Sequence, residues 1–206
     1  MSRFGLRRGL AFAALILGAF LIAGGLYIPA KAAMAQLLLQ RAWTRVLAGD
    51  VQAKPWPWAD IVPEYDLEFP ELGRRMIVLA SDSGQAMAFG PGHMPNTPAV
   101  GAEGTAVIAA HRDTQFSFLG ELGPGDIVSV INKSGVRMKF RVTSSHIVRA
   151  DASGIDPADP GRSGSRLALV TCYPFTGVLH SPWRYVVFAD QVADVALLDI
   201  PFIPWH

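Results

Sequence analysis

The stretch from residue 166 to residue 189 constrains this chain more than any other, because it writes out two strands and the turn between them. Leu167, Leu169 and Thr171 alternate with Ala168, Val170 and Cys172, the two-residue period of a largely buried β-strand, and that strand delivers the only cysteine of the chain to its end. Pro174 stops it, since proline has no N–H to give to a ladder. After a loop, a second apolar run over 185–189 reads as the returning strand, with Arg184 at its mouth. If the two strands pair, thiol and guanidinium face each other.

The rest of the chain repeats this vocabulary of short apolar runs and Gly/Pro punctuation. The globular part begins near Glu64. Residues 74–80 (Arg-Arg-Met-Ile-Val-Leu-Ala) predict a strand, 81–84 a turn, and 85–89 a single helical turn ended by Gly90-Pro91-Gly92. A loop runs on to Gly104, and 106–110 predict a strand leading into His111. Residues 116–122 predict a short helical connection. The runs 127–131 and 136–143 flank Asn132-Lys-Ser-Gly135, a hairpin signal, and 146–148 prolong the second arm. The polar loop 151–165 is long enough to carry function. Many short strands, Gly/Pro-rich turns and almost no helix point to an all-β, closed antiparallel barrel.

Ahead of the barrel, residues 10–28 carry no charge and follow Arg3, Arg7 and Arg8. As a helix the span reaches roughly 29 Å, about the hydrocarbon thickness of a bilayer. The expectation is a cytoplasmic N-terminus at 1–9, a transmembrane helix at 10–28, and everything after it on the extracytoplasmic side. A cleaved signal peptide is the rival, with small residues around Ala30 and Ala33; both readings export the domain. Residues 29–63 would form a juxtamembrane helix, from the spacing of Met34, Leu37, Leu38, Trp43 and Val46, and then a Pro/Trp linker with Trp56 and Trp58. The domain proper is 64–206, with an apolar tail over 195–206 set against the barrel or the membrane surface.

Composition removes several functions. The chain is 50% hydrophobic and 17% charged with a net charge of only +1, so no basic stripe argues for nucleic acid. One cysteine forms no internal disulfide and leaves a free thiol to explain. His111-Arg112-Asp113 imitates a kinase catalytic loop, but no glycine-rich nucleotide loop accompanies it. The absence of a second cysteine and of a histidine pair at helical spacing argues against a catalytic zinc site. His93, His146, His180 and His206 read as surface or structural, and His180 stands out for lying in the loop between Cys172 and Arg184.

Cys172, His111 and Arg184 match the needs of acyl transfer one for one: a nucleophile, a proton donor for a leaving amine, and positive charge for an oxyanion. Alone, Cys172 would fit a buried core thiol, His111 an ordinary hydrogen-bonded histidine and Arg184 a salt bridge. Together at strand ends they read as a site. Thr171-Cys172, the His111-Arg112-Asp113-Thr114 run with Phe116 and Leu119 behind it, and Arg184 opening a strand resemble the sortases, membrane-anchored cysteine transpeptidases with an eight-stranded barrel. The likeness covers roughly residues 56–191. The Trp56-Pro-Trp-Ala-Asp and Thr-Cys-Tyr-Pro-Phe wording is closest to sortases of Gram-negative bacteria. Ala110 departs from the pattern, since glycine commonly precedes the histidine.

The resemblance implies a fold, an eight-stranded sortase-like barrel behind a membrane anchor. It also implies a reaction: cleavage of a Leu-Pro-X-Thr-Gly-type sorting signal on a secreted protein through a Cys172 thioester, and transfer of the acyl group to an amine. His111 would protonate the leaving amine and then deprotonate the incoming one, while Arg184 orients substrate and stabilises the oxyanion. Thr171, Tyr173, Pro174 and His180 are the candidate substrate contacts, and Asp113 a candidate partner of His111. No cofactor or metal is expected. Some sortases bind calcium through acids just ahead of the histidine, where this chain has only Glu103; Asp151, Asp156 and Asp159 leave calcium open. The enzyme would sit in the inner or plasma membrane facing the periplasm. Two alternatives stay on the page, a cysteine transpeptidase acting on peptidoglycan stem peptides and a non-catalytic, membrane-tethered peptide-binding barrel.

Overall fold

Alternation of side chains decides which residues become strands and which face of each is buried. In Pro63–Phe69 (β1), Tyr65, Leu67 and Phe69 turn inward while Glu64, Asp66 and Glu68 form the other row. Arg74–Leu79 (β2), the two-residue Gly92–His93 (β3), Gly104–Ala109 (β4), Ile127–Ile131 (β5), Arg137–Arg149 (β6), Ser165–Cys172 (β7) and Trp183–Val192 (β8) follow in order. Short helical pieces at Pro70–Leu72, Gly84–Met87 and Leu119–Glu121 fill the connections. In this computed structural model the described residues are 16, 18, 34–81, 83–158, 163–176 and 181–192.

The strands close into a barrel in the order β1-β2-β3-β4-β7-β8-β6-β5. Closure leaves no unpaired sheet edge; the punctuation of the sequence calls for an all-β closed barrel, and its eight strands with short helices are what the family resemblance implies. Most neighbours are antiparallel, but two pairs run parallel, β2 with β3 through Leu79 beside Gly92, and β4 with β7 from Gly104 beside Ser165 to Ala109 beside Val170. Those parallel pairs are the part of the topology that strand patterning does not specify. The β5–β6 hairpin turns at Asn132, whose side chain accepts from the Ser134 and Val136 amides at 3.0 Å, and Gly135 takes the φ of 78° that the turn requires.

The barrel interior is filled from alternate positions of every long strand, among them Leu67, Ile108, Phe140, Leu167, Leu169 and Val187. A second apolar cluster lies outside the barrel. Residues 34–47 form a helix (α1) that lays Leu39, Ala42, Trp43 and Val46 against Ile77 and Leu79 of β2, and Ala53, Ala59 and Ile61 of the connector join them. The helix expected from the spacing of 31–48 is therefore present. The two connector tryptophans part company: Trp56 meets Phe89 edge-on at 5.2 Å, while Trp58 stays 83% exposed.

Four expectations lie outside the described residues: the transmembrane span at 10–28 apart from Ile16 and Gly18, the arginines before it, His180, and the tail after residue 192. Among the described residues, no helix is long and apolar enough to cross a membrane. One expectation is corrected. The glycine- and proline-rich segment 90–104 is not loop throughout, because Gly92 and His93 pair with Ala109 and Ile108 as β3. His93 is thereby carried off the surface and buried.

Candidate active site

Three adjacent strands, β4, β7 and β8, carry the residues of interest, with β7 in the middle. Leu167, Leu169 and Thr171 of β7 point into the barrel or are buried with it, so Ala168, Val170 and Cys172 take the outer face. On β4, Ala106, Ile108 and Ala110 belong to the interior and Val107 to the outer patch. On β8, Val187 and Ala189 face in, and Val186 faces out with Arg184 two residues before it. The outer patch of Val107, Ala168 and Val186 is the floor on which a site can be built.

Register then sets the neighbours of the thiol. Cys172 lies directly across from Arg184 in the antiparallel β7–β8 ladder, and residues in that relation project to the same face. The parallel β4–β7 ladder pairs Ala109 with Val170, and the Ala110 amide still donates to the Val170 carbonyl at 3.1 Å. β4 ends at Ala109, so His111 follows that strand by two residues, while Cys172 ends the neighbouring β7. Strands are about 4.8 Å apart, which puts Arg184 beside the cysteine on its other neighbour, β8. Cys172 is partly exposed and free of any disulfide.

Buried and semi-buried hydrogen bonds hold this arrangement. The Thr171 hydroxyl, inside the barrel, donates to the Ala110 carbonyl at 2.8 Å, pinning the residue that precedes His111 to the one that precedes Cys172. Thr171 itself is 2% exposed, so its side chain acts on the protein rather than on a ligand in the cleft. The Phe116 amide donates to the His111 carbonyl at 3.0 Å and starts the helical turn beyond it. Arg112 donates through Nη1 to the Pro174 carbonyl at 2.9 Å, tying the segment after His111 to the segment after Cys172. Arg184 Nη1 donates to the carbonyls of Ser181 and Trp183 at 2.8 and 2.9 Å, which fixes the plane of the fork.

Tyr173 is half-buried, stacks on Tyr185 at 6.3 Å and meets Phe175 edge-on at 6.0 Å. Pro174 follows a cis peptide bond and is exposed. Phe175 closes over Gly120, where a Cβ would come within 2.9 Å of its ring. Asp113 is exposed, and His180 lies outside the described residues.

Next to these groups opens a cleft of about 400 Å³. Val107, Ala109, Val170 and Val186 make its floor, Met94, Asn96 and Thr97 one wall, Ser153, Ile155 and Pro157 the other, and Arg184 lines it as well. Gly104 lets the second wall approach: its φ is 101°, and a Cβ there would fall 2.4 Å from the Pro157 carbonyl oxygen. The walls escaped the sequence reading because Met94, Thr97 and Ile155 sit in irregular segments without periodicity. Among the described residues, no group of three or more His, Cys, Asp and Glu side chains is placed to hold a metal ion.

An arrangement of thiol, imidazole and guanidinium at the edge of an apolar groove can perform acyl transfer on an extended peptide. Comparison with known proteins points the same way. Residues 67–192 match the family model of the sortase domain. Sortase D of Bacillus subtilis is 28% identical over 126 residues, covering 61% of this chain, and the chain spans 62% of that relative's length. Sortase E of Streptomyces avermitilis superposes with a TM-score of 0.54 at 26% identity, over 64% of this chain and 88% of that one. The lid mutant of sortase A from Corynebacterium diphtheriae, 19% identical, shares the fold with a TM-score of 0.58 over 80% of this chain and 95% of that one.

Proposed function

This chain belongs to the sortase family, and from that membership we propose that it is a cysteine transpeptidase that cleaves a sorting signal of the Leu-Pro-X-Thr-Gly type and passes the acyl group to an amine. What supports the reading most is the register of β4, β7 and β8, with Cys172 across from Arg184 and His111 two residues beyond the end of β4. The Cys172 sulfur attacks the carbonyl between Thr and Gly of the signal, and the oxyanion that forms is met by the guanidinium of Arg184. His111 gives a proton to the departing amine as the C–N bond breaks, leaving a thioester on Cys172. An incoming amine then loses a proton to His111, attacks the thioester and releases the Cys172 sulfur, so the Cys172–His111 pair regains the one proton it gave to the leaving amine.

The cleft accounts for the substrate class. Its apolar floor suits the leucine and proline of the signal, which lose hydration on entering, and the charged rim lies where the scissile bond would sit. Tyr173 and Pro174 border the peptide on the far side of the cysteine, and His180 belongs to the same loop. Thr171 contributes through the Ala110 carbonyl. Residues 10–28, an uncharged stretch preceded by arginines, anchor the enzyme in the plasma or inner membrane with the barrel outside, as the Gram-negative type of the family would require.

The test incubates the full chain with a panel of signal peptides and a glycine-based amine, and follows products by mass spectrometry. The expected result is cleavage at Thr–Gly with transfer to the amine, lost in Cys172→Ala. Absence of cleavage across the panel, or cleavage that survives Cys172→Ala, would overturn the reading.

A further inference from the structure

A buried histidine stands behind one wall of the cleft, outside the group of residues assigned to the chemistry. His93 is 7% exposed, paired with Ile108 of β4 and neighbouring Leu79 of β2 through Gly92. The titratable groups that face it come from β1. Glu64 Oε2 is 3.1 Å from Nδ1, and the Tyr65 ring stands edge-on at 5.6 Å. On the other side Nε2 lies 3.0 Å from the Pro98 carbonyl oxygen and 3.3 Å from the Thr97 hydroxyl.

Donor and acceptor counting decides the protonation of this ring. A carbonyl oxygen can only accept, so Nε2 carries a hydrogen. The Thr97 hydroxyl spends its own proton on the Met94 carbonyl at 2.8 Å and accepts from the Val107 amide, so toward His93 it also accepts. The remaining proton is shared between Nδ1 and Glu64, and imidazole is the stronger base, which puts it on the ring. Both ring nitrogens of His93 thus face groups that can accept, the arrangement that favours the doubly protonated ring. Burial by itself would pull the group down; the hydrogen bond and charge of Glu64, with the Pro98 carbonyl, outweigh it and hold His93 above the usual histidine value.

The atoms His93 holds belong to the cleft. Met94, Asn96 and Thr97 form one wall, and that wall is hydrogen-bonded to Val107 of β4 twice, through the Met94 amide at 2.9 Å and through the Thr97 hydroxyl at 3.2 Å. Tyr65 continues the fixation, since its hydroxyl accepts from the Val100 amide at 3.1 Å. We propose that His93 is a positioning residue whose doubly protonated ring, anchored on Glu64, sets the 94–98 wall of the peptide cleft, so that the peptide is bound more weakly once His93 gives up its proton. The proposal rests on the reading of that cleft as the peptide site.

The sign follows from the direction of the shift. A folded-state value raised above the unfolded one means that the contribution of His93 is complete below the ordinary histidine value of about 6.5 and is lost as pH climbs through the folded value. Two measurements on the full chain test it. Nitrogen-15 spectra of the wild-type imidazole, taken across pH, should show both ring nitrogens of His93 protonated at neutral pH, with the transition moved to lower pH in Glu64→Gln. Peptide affinity of the Cys172→Ala chain, in which no turnover intrudes, should fall by about tenfold across the same transition, the size of one charge-assisted hydrogen bond. In the Glu64→Gln background that fall should begin at lower pH. A singly protonated ring at neutral pH overturns the proposal without any variant being needed. So does an affinity transition that Glu64→Gln leaves in place. If no peptide binds at any pH, the cleft reading fails and takes the wall-setting role with it, whereas the nitrogen spectra still report the state of the ring.

Discussion

Replacing Thr171 by valine tests the bond that joins the two strand ends of the site. The two side chains have nearly the same shape, so packing inside the barrel is kept and only the hydroxyl is lost. The Ala110 carbonyl, belonging to a residue 6% exposed, then forfeits the donor 2.8 Å away. A buried acceptor left without its partner costs about 1–3 kcal/mol. At a mid-range loss of about 2 kcal/mol, a chain of this size should melt roughly 4–8 °C lower. Thr171→Ser keeps the hydroxyl and should recover most of the hydrogen-bond term. Denaturant unfolding of the three full-length proteins, read by intrinsic fluorescence, gives the comparison. Because Ala110 immediately precedes His111, kcat/KM should fall in the valine variant as well. A Thr171→Val chain as stable as the wild type, or more so, would refute the reasoning, since it would mean that the hydroxyl contributes nothing net at this position.

The remaining expectations concern charge. Arg75→Ala strands the fully buried carboxylate of Asp66, to which Arg75 donates through Nε at 2.9 and 3.0 Å, and should cost about 3 kcal/mol in urea unfolding. Adding Asp66→Asn should return part of that loss, and a neutral result for Arg75→Ala alone would contradict the pairing. Arg184→Lys keeps the charge but not the planar fork, and should lower kcat/KM about 100-fold in the peptide assay. Activity close to wild type would remove Arg184 from the oxyanion role.

The strands that the sequence announces are those whose pairing information is local. Residues 127–131 form a short β-branched run, Ile-Val-Ser-Val-Ile, and the Asn132-to-Gly135 turn follows at once, so the β5–β6 hairpin is legible without a third strand. β1 is not, although Tyr65, Leu67 and Phe69 alternate cleanly. Glu64, Asp66 and Glu68 lower its intrinsic strand preference, and Asp66 and Glu68 are answered by Arg75 on the adjacent β2 and Arg137 on the distant β6, partners that folding supplies. β3 is two residues long and carries no periodicity at all.

The candidate site divides in the same way. Cys172, Arg184 and His111 each end an apolar run, and a strand end is visible in one dimension. That β7, which ends on Cys172, lies between β4 and β8 depends on the parallel β4–β7 pairing across a long crossover, which patterning does not encode. His93 sits in Gly-Pro-Gly-His-Met-Pro, wording that reads as surface loop, and its burial comes from a bridge to β4 and a carboxylate from β1. The cleft walls are likewise products of loops folding back on the sheet, as at Gly104 and Pro157.

The central claim is that one sulfur carries the acyl group between the two halves of the reaction. Intact-mass analysis of the full chain, quenched in acid during turnover of a Leu-Pro-X-Thr-Gly peptide without added amine, measures this directly. The account predicts an adduct equal to the peptide up to its threonine, mapped to Cys172, discharged by hydroxylamine and absent from Cys172→Ala. Product formation with no such adduct on Cys172, or an adduct mapped to any other residue, would contradict it.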